Sequence, residues 1–366
     1  MNGYLDPELA ELARSLVPTD IGDPVAARER LARARAARPG FVTPPGLVRG
    51  DLTVPADGAR PAVRCLTFRP DAGADTRPDA RPDARADARP EARADARPGG
   101  RADTRADVRS GARADTPEDG RARAPEGLRA AIVHLHGGGF VMGDADGDPV
   151  LPARLAEATG ALVLSVDYRL APEHPYPAAV DDGWAVLCHV TEHAAGLGVD
   201  PARVAVAGAS AGACLAAALA LRARDEGGPR IAAQLLDIPV LDDRAITPSS
   251  RLTDSPMWNR ANLLDSWRHY LRDLPPDQAI SPYAAPARAA DLSGLPPAYV
   301  SVCSLDPLRD EGIAYAQRLT DAGVPTELRL YPGTFHGAVS TFPDTSVTRR
   351  ARADLLAAAR RLLSVT

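Results

Sequence analysis

Apolar residues recur along this chain with two different periods. Near the start, Leu5, Leu9, Leu12 and Leu16 fall at helical spacing, which predicts a short helix over residues 5–16. A second helix is expected over 24–37: Asp23 can cap its first turn, Pro24 takes the first position and Pro39–Gly40 closes it. Alternating β-prone runs follow at 47–55 and 62–68, the pattern of an opening hairpin or edge pair. Later the runs become continuously apolar, at 130–135, 161–166, 203–207, 233–238, 298–302 and 326–331, and read as buried strands. Between them lie helix-like stretches at 178–193, 211–224, 311–322 and 348–363. Buried strands alternating with helices predict a mostly parallel sheet with helices on both faces. Residues 244–295 are too long for a simple connection and include a helical stretch around 259–271, so an inserted subdomain is expected there.

One segment has neither period. From about 71 to 125 the chain is almost only Arg, Asp, Glu, Ala, Pro, Gly and Thr. Arginine returns at every fourth position from Arg77 to Arg113, commonly with an acid two residues on, as at Asp79, Asp83, Asp87, Glu91 and Asp95. As a helix it would set like charges at i,i+4, and Pro78, Pro82, Pro90 and Pro98 would break it repeatedly. With almost no large apolar residue, it cannot offset its ordering entropy. A disordered, charge-balanced insertion is expected.

Composition narrows the class. The chain has 366 residues and a formal net charge of −5, which gives no sign of a nucleic-acid partner. No stretch of about 18 apolar residues marks a membrane span, and the early acidic residues do not read as a secretory signal. Cys65, Cys188, Cys214 and Cys303 are scattered, with no ligand spacing, and are expected as buried free thiols in a cytoplasmic protein. Asp144, Asp146 and Asp148 begin like a calcium loop, but Pro149 and Leu155 occupy positions that need Gly and Glu, so no metal site is read there.

The chemistry is concentrated in four places. A predicted strand runs into Gly208-Ala209-Ser210-Ala211-Gly212, and an apolar helix follows at once. That is the setting of a G-x-S-x-G nucleophile elbow, in which the flanking positions must be nearly bare. Upstream, His136-Gly137-Gly138-Gly139-Phe140 follows another strand, and consecutive glycines free backbone N–H groups to face a ligand. Gly137, Gly138 and Ala211 would then supply an oxyanion hole. His336 lies in a loop after the last predicted strand, and Asp306 just past the preceding one. The order Ser210, Asp306, His336 suits this architecture. Asp306 with Pro307 is also an ordinary helix start, and Asp310 is a rival acid, but Asp310 falls inside the next helix. The other histidines have no paired carboxylate at a telling spacing.

Together these residues resemble the hormone-sensitive-lipase-like esterases, the bacterial family IV group of the α/β-hydrolase superfamily. The resemblance rests on HGGGF, the stretch from Asp167 to Asp182, the elbow, Asp306–Gly312 and Phe335-His336-Gly337, in that order. Ala209 and Ala213 depart from the commoner elbow and, with Trp258-Asn259-Arg260, look closer to the branch carrying GTSAG. The resemblance implies an α/β-hydrolase core over 46–366 with an eight-stranded sheet. A helical cap would be built from residues 1–45 and about 244–285. It also implies a serine carboxylesterase acting on short acyl esters without cofactor or metal, its pocket lined by Phe140, Met257 and Trp258. An amide or lactone substrate fits the same machinery. Similar plant gibberellin receptors lack the histidine that this chain keeps at His336.

Overall fold

The structure, a computed structural model, describes residues 4–16, 19–37, 39–71, 127–275 and 277–364. The arginine-rich stretch expected as a disordered insertion lies outside the described residues. Helices α1 (Pro7–Ala13) and α2 (Pro24–Ala36) come first, then strands β1 (Leu47–Val54) and β2 (Val63–Pro70). Next are β3 (Arg129–Leu135), α3 (Val150–Thr159), β4 (Leu162–Val166), α4 (Ala178–Glu192), α5 (Ala194–Leu197) and β5 (Val199–Ala209). The chain continues with α6 (Ala211–Asp225), β6 (Ala233–Asp237), α7 (Arg260–Tyr270), β7 (Ala298–Cys303) and α8 (Arg309–Asp321). It closes with β8 (Thr326–Tyr331), α9 (Ala338–Thr341) and α10 (Ser346–Leu363).

The strands form one eight-stranded sheet in the order β1-β2-β4-β3-β5-β6-β7-β8. The pairs β1–β2 and β2–β4 are antiparallel, and every other neighbouring pair is parallel. The residue pattern explains the difference. Along β1 burial alternates, as on an edge with one solvated face, whereas β4 and β7 are buried at every position. On β5, Val204 and Val206 face the cluster built with α4 and α6, while Ala205 and Ala207 face that of α3 and α10. Both faces are therefore covered, as expected.

Local chemistry shifts some boundaries. Helix α1 starts at Pro7 rather than at residue 5, because Asp6 accepts a hydrogen bond from Glu8 N–H and Pro7 fixes the first turn. Strand β5 begins at Val199, earlier than its apolar run, because Val199 pairs with Arg129 ahead of a register shift in β3. The apolar pattern does not mark α3, whose first turn contains Pro152 and has no side-chain cap. Proline is tolerated there because first-turn N–H groups have no intrahelical partner.

The parallel strands direct β3, β5, β7 and β8 toward one sheet edge, where the loops after their C-terminal ends meet. Helix α1 is anchored to two of those loops. Asp6 N–H donates to Gly333 O at 3.0 Å, and Leu9, with no exposed surface, packs with Leu305, Tyr331 and Phe335. Leu9→Ala is therefore expected to cost about 2–5 kcal/mol in urea unfolding. A cost under about 1 kcal/mol would mean that α1 does not belong to the cooperative core.

Candidate active site

Ser210 sits between the end of β5 and the start of α6 with φ 55° and ψ −116°. A serine pays for this left-handed conformation, so the surroundings must enforce it. Ser210 N–H donates to Asp237 O at 2.9 Å, and Ser210 O accepts from Ala213 and Cys214 N–H, both at 3.1 Å. The turn also needs Gly212. A Cβ there would stand 1.9 Å from Leu135 O, so only glycine lets α6 approach the end of β3.

The structure brings His336 and Asp306 together with Ser210. His336 Nε2 is 2.9 Å from Ser210 Oγ, and His336 Nδ1 is 2.7 Å from Asp306 Oδ2. Asp306 is 1% exposed, Ser210 6% and His336 7%, so the hydrogen-bonded chain is screened from water. With Nδ1–H donated to the carboxylate, Nε2 carries a lone pair directed at the serine hydroxyl. The other Asp306 oxygen accepts from Leu308 N–H at 2.9 Å, so one carboxylate both orders the turn and orients the imidazole. Asp310 faces elsewhere: it accepts from Ser249 N–H at 2.7 Å and pairs with Arg309 at 2.7 Å. The two loops are cross-tied, with Leu305 N–H on Thr334 O at 2.9 Å and Gly333 N–H on Ser304 Oγ at 2.8 Å.

The glycine loop lies against the nucleophile. A Cβ on Gly137 would be 3.6 Å from that of Ser210. Gly138 has φ +132°, and a Cβ there would lie 1.9 Å from Met142 O, so its identity is also fixed. Tyr168 Oη donates to His136 O at 2.7 Å, and the His136 ring, through Nδ1, meets Gly137 O at 2.9 Å. A trans peptide is planar, so holding each carbonyl sends the following N–H, of Gly137 or Gly138, the opposite way. Burial lowers the His136 pKa and keeps the ring neutral, stacked 4.1 Å from Tyr168. Tyr168 and the His136 ring carry no mark of this role in residue pattern alone, though both fall inside the family-like motifs.

The residues expected at the pocket separate. Phe140 is corrected: it is 1% exposed and stacks on Tyr270 at 4.0 Å, inside an aromatic group with Trp267. Burying the ring there is worth more than leaving it at a wet site. Trp258 lies beside His336, with ring centroids 5.5 Å apart, and its Cη2 would meet a Cβ on Gly139 at 2.5 Å. Met257 approaches Gly337 and Thr341, and also borders a cavity of about 280 Å³ lined by Ala13, Leu16, Thr19, Ser255 and Pro256. That cavity includes none of the three hydrogen-bonded residues.

Other charged groups are structural. Asp144 pairs with Arg35, and Asp146 with Arg49 at 2.6 Å and Arg64 at 2.5 Å. His134 is buried beside Ser165, 3.2 Å away, and desolvation lowers its pKa to about 3. All four cysteines are free thiols; Cys65, Cys214 and Cys303 are buried, whereas Cys188 is only partly so. The residue pattern gives no hint of Glu311, which is 2% exposed. It accepts from Leu241 N–H at 2.6 Å, holding the strand exit beyond β6.

An α/β sheet with a Ser–His–Asp chain at its C-terminal edge is the architecture of an α/β-hydrolase. A family model described as the alpha/beta hydrolase fold matches residues 132–340, and the chain belongs to that family, in its hormone-sensitive-lipase-like group. Among its relatives, Esterase LipI of Mycobacterium tuberculosis is 45% identical over 209 residues, covering 57% of this chain and 65% of LipI. Carboxylesterase NlhH of the same species is 46% identical over 213 residues, covering 57% and 66%. The chain thus aligns with just under two thirds of each relative. A solved structure titled Bacterial Heroin Esterase superposes with TM-score 0.81 at 36% identity, covering 99% of both chains.

Glu311 supplies a pH test of this architecture. Burial raises its pKa well above the ordinary 4.5, outweighing the Leu241 and Asp242 N–H bonds. A group that binds its proton more tightly when folded contributes fully below its unfolded value and loses that contribution as pH rises through the folded one. Glu311→Gln cannot ionise, so its stability relative to wild type should rise with pH above the ordinary carboxyl range, by at most roughly 1.4 kcal/mol per unit, until the wild-type group ionises. A pH-independent difference in urea midpoint would contradict a buried, protonated Glu311.

Proposed function

We propose that this protein is a serine carboxylesterase that hydrolyses short acyl esters through Ser210, His336 and Asp306. One observation carries the reading: an unbroken hydrogen-bonded chain from the Ser210 hydroxyl through His336 to Asp306. The names of the relatives LipI and NlhH, an esterase and a carboxylesterase, point the same way. His336 takes the proton as Ser210 Oγ attacks the ester carbonyl, and Asp306 stabilises the imidazolium that forms. The N–H groups of Gly137, Gly138 and Ala211 receive the developing oxyanion; Ala211 opens α6, where the helix dipole adds to the effect. His336 returns the proton to the leaving alcohol, and water activated by the same ring releases the acid.

In this reading residues 1–45 and about 244–285 form a cap over the sheet edge. Its support is the packing of α1 on the acid and base loops, and of Trp258 between His336 and Gly139. A nucleophile 6% exposed, with Trp258 beside its histidine, suits a small acyl group. The GASAG elbow and Trp258-Asn259-Arg260 favour the branch with GTSAG. Four free thiols fit a reducing, cytoplasmic setting.

The test is a panel of p-nitrophenyl esters of increasing acyl length, with aryl amides beside them. Activity is expected on short acyl chains, falling off on long ones. Ser210→Ala and His336→Ala should each lower kcat by roughly 10⁴-fold or more, and the double variant should be little worse. Asp306→Asn should be severe and Asp310→Asn mild. Preference for amides, or the reverse order of the two acids, would overturn the assignment concerned.

A further inference from the structure

Resting on that reading, we infer that Arg28 of α2 is a positioning residue for the oxyanion loop, so that the N-terminal helix contributes to kcat and not only to stability. Arg28 Nε donates to Val141 O at 2.7 Å, and Nη2 donates to Ala171 O at 2.8 Å. The same guanidinium grips Glu173 through Nη1 and Nη2, at 2.8 and 2.7 Å. Two main-chain carbonyls and a carboxylate thus share one planar fork, a geometry that a lysine ammonium cannot reproduce.

The two carbonyls belong to segments that are already paired, since Ala171 N–H donates to Phe140 O at 2.9 Å. Arg28 therefore closes the open side of that pair. Its bond to Val141 O reaches further. The peptide that carries this carbonyl also carries the Met142 N–H, which donates to Gly138 O at 3.1 Å. Because the peptide is planar and trans, fixing its oxygen on Arg28 directs its N–H toward Gly138. A relay runs from Arg28 through one peptide to the Gly138 carbonyl, which fixes the backbone on the far side of the glycine whose own N–H is a proposed oxyanion donor, each bond polarising the next.

The loop needs such support. Gly138, Gly139 and Phe140 have φ of 132°, 59° and 65° in succession, and Phe140 is not a glycine. Such backbone persists only where neighbours over-determine it. Ile21 and Ala27 add apolar contact with Val141, Ala171 and Trp258, so the guanidinium sits at the rim of a packed cluster. The oxyanion matters most in the transition state, so a displaced donor lowers kcat and leaves substrate binding largely unchanged.

The experiment compares Arg28→Gln, Arg28→Lys and Glu173→Gln with wild type in the full chain, well below every thermal midpoint. The readouts are kcat and KM on p-nitrophenyl butyrate, and the rate at which diethyl p-nitrophenyl phosphate inactivates the enzyme. Arg28→Gln should lower kcat by about 10–100-fold with KM within about threefold, and slow inactivation comparably, because the phosphoryl oxygen uses the same donors. Arg28→Lys should fall between, retaining one carbonyl contact. Glu173→Gln, which leaves both carbonyl bonds intact, should lower the midpoint and keep kcat within threefold. An Arg28→Gln enzyme with wild-type kcat, or one changed only in KM or midpoint, overturns the proposal. Should Arg28→Gln not fold, wild-type kcat in Arg28→Lys does the same. Wild type that turns over no ester, or Ser210→Ala that retains activity, would fail the underlying esterase reading instead.

Discussion

The site depends on one contact between two backbones. The first turn of α6 lies so close to the end of β3 that a Cβ on Gly212 would overlap the Leu135 carbonyl. Such closeness is available only to glycine. It has two consequences at once. It keeps the start of α6, and with it Ser210, against the end of β3, and it brings the loop after β3 beside Ser210. Without it, the Ser210 hydroxyl and the Gly137–Gly138 backbone, which leave different strands, would stand apart. The sheet register then only has to deliver β7 and β8 alongside, where parallel pairing from Ala298↔Thr326 to Cys303↔Tyr331 sets the two loops side by side.

Positions within those loops are fixed from outside the sheet. Strand ends are rigid, but the loops leaving them must be tied at each carbonyl and N–H that matters. Tyr168 and His136 hold the peptides of the glycine loop, Asp306 holds its own turn, and α1 bonds to Gly333. Glu311 does the same for the exit from β6, although burial disfavours its charged form and raises its pKa. Polar groups at this edge thus trade stability for placement, a common property of functional sites.

Much of this was legible in residue order. Continuous apolar runs marked the parallel strands, and a strand, GASAG and an apolar helix in succession marked the nucleophile, because both depend on local steric demands. Asp306 could be preferred to Asp310 because only one of them precedes the helix. Contacts that depend on distant partners were not legible. Arg28 meets Val141 and Glu173 across 113 and 145 residues, and nothing in its neighbours sets it apart from other arginines on a helix face. The resemblance implies a pocket position for Phe140, yet Tyr270 and Trp267, from the long connection, enclose it. Helix α3 was hidden by Pro152, whose missing N–H costs nothing in a first turn.

The histidines at the sheet edge show how burial sorts chemically identical side chains. His134 and His136 lie on or just after β3, enclosed on all sides, with hydrogen-bond partners that are a hydroxyl and a carbonyl. Desolvation disfavours their charged forms, so each serves as a neutral ring. His336 is also buried, but its Nδ1 faces the Asp306 carboxylate at 2.7 Å. The Ser210 hydroxyl therefore faces one ring, and that ring is backed by the Asp306 carboxylate. Bonded to Gly137 O, the neutral His136 ring serves the backbone of the glycine loop, whereas the His336 ring joins the Ser210 hydroxyl to the Asp306 carboxylate.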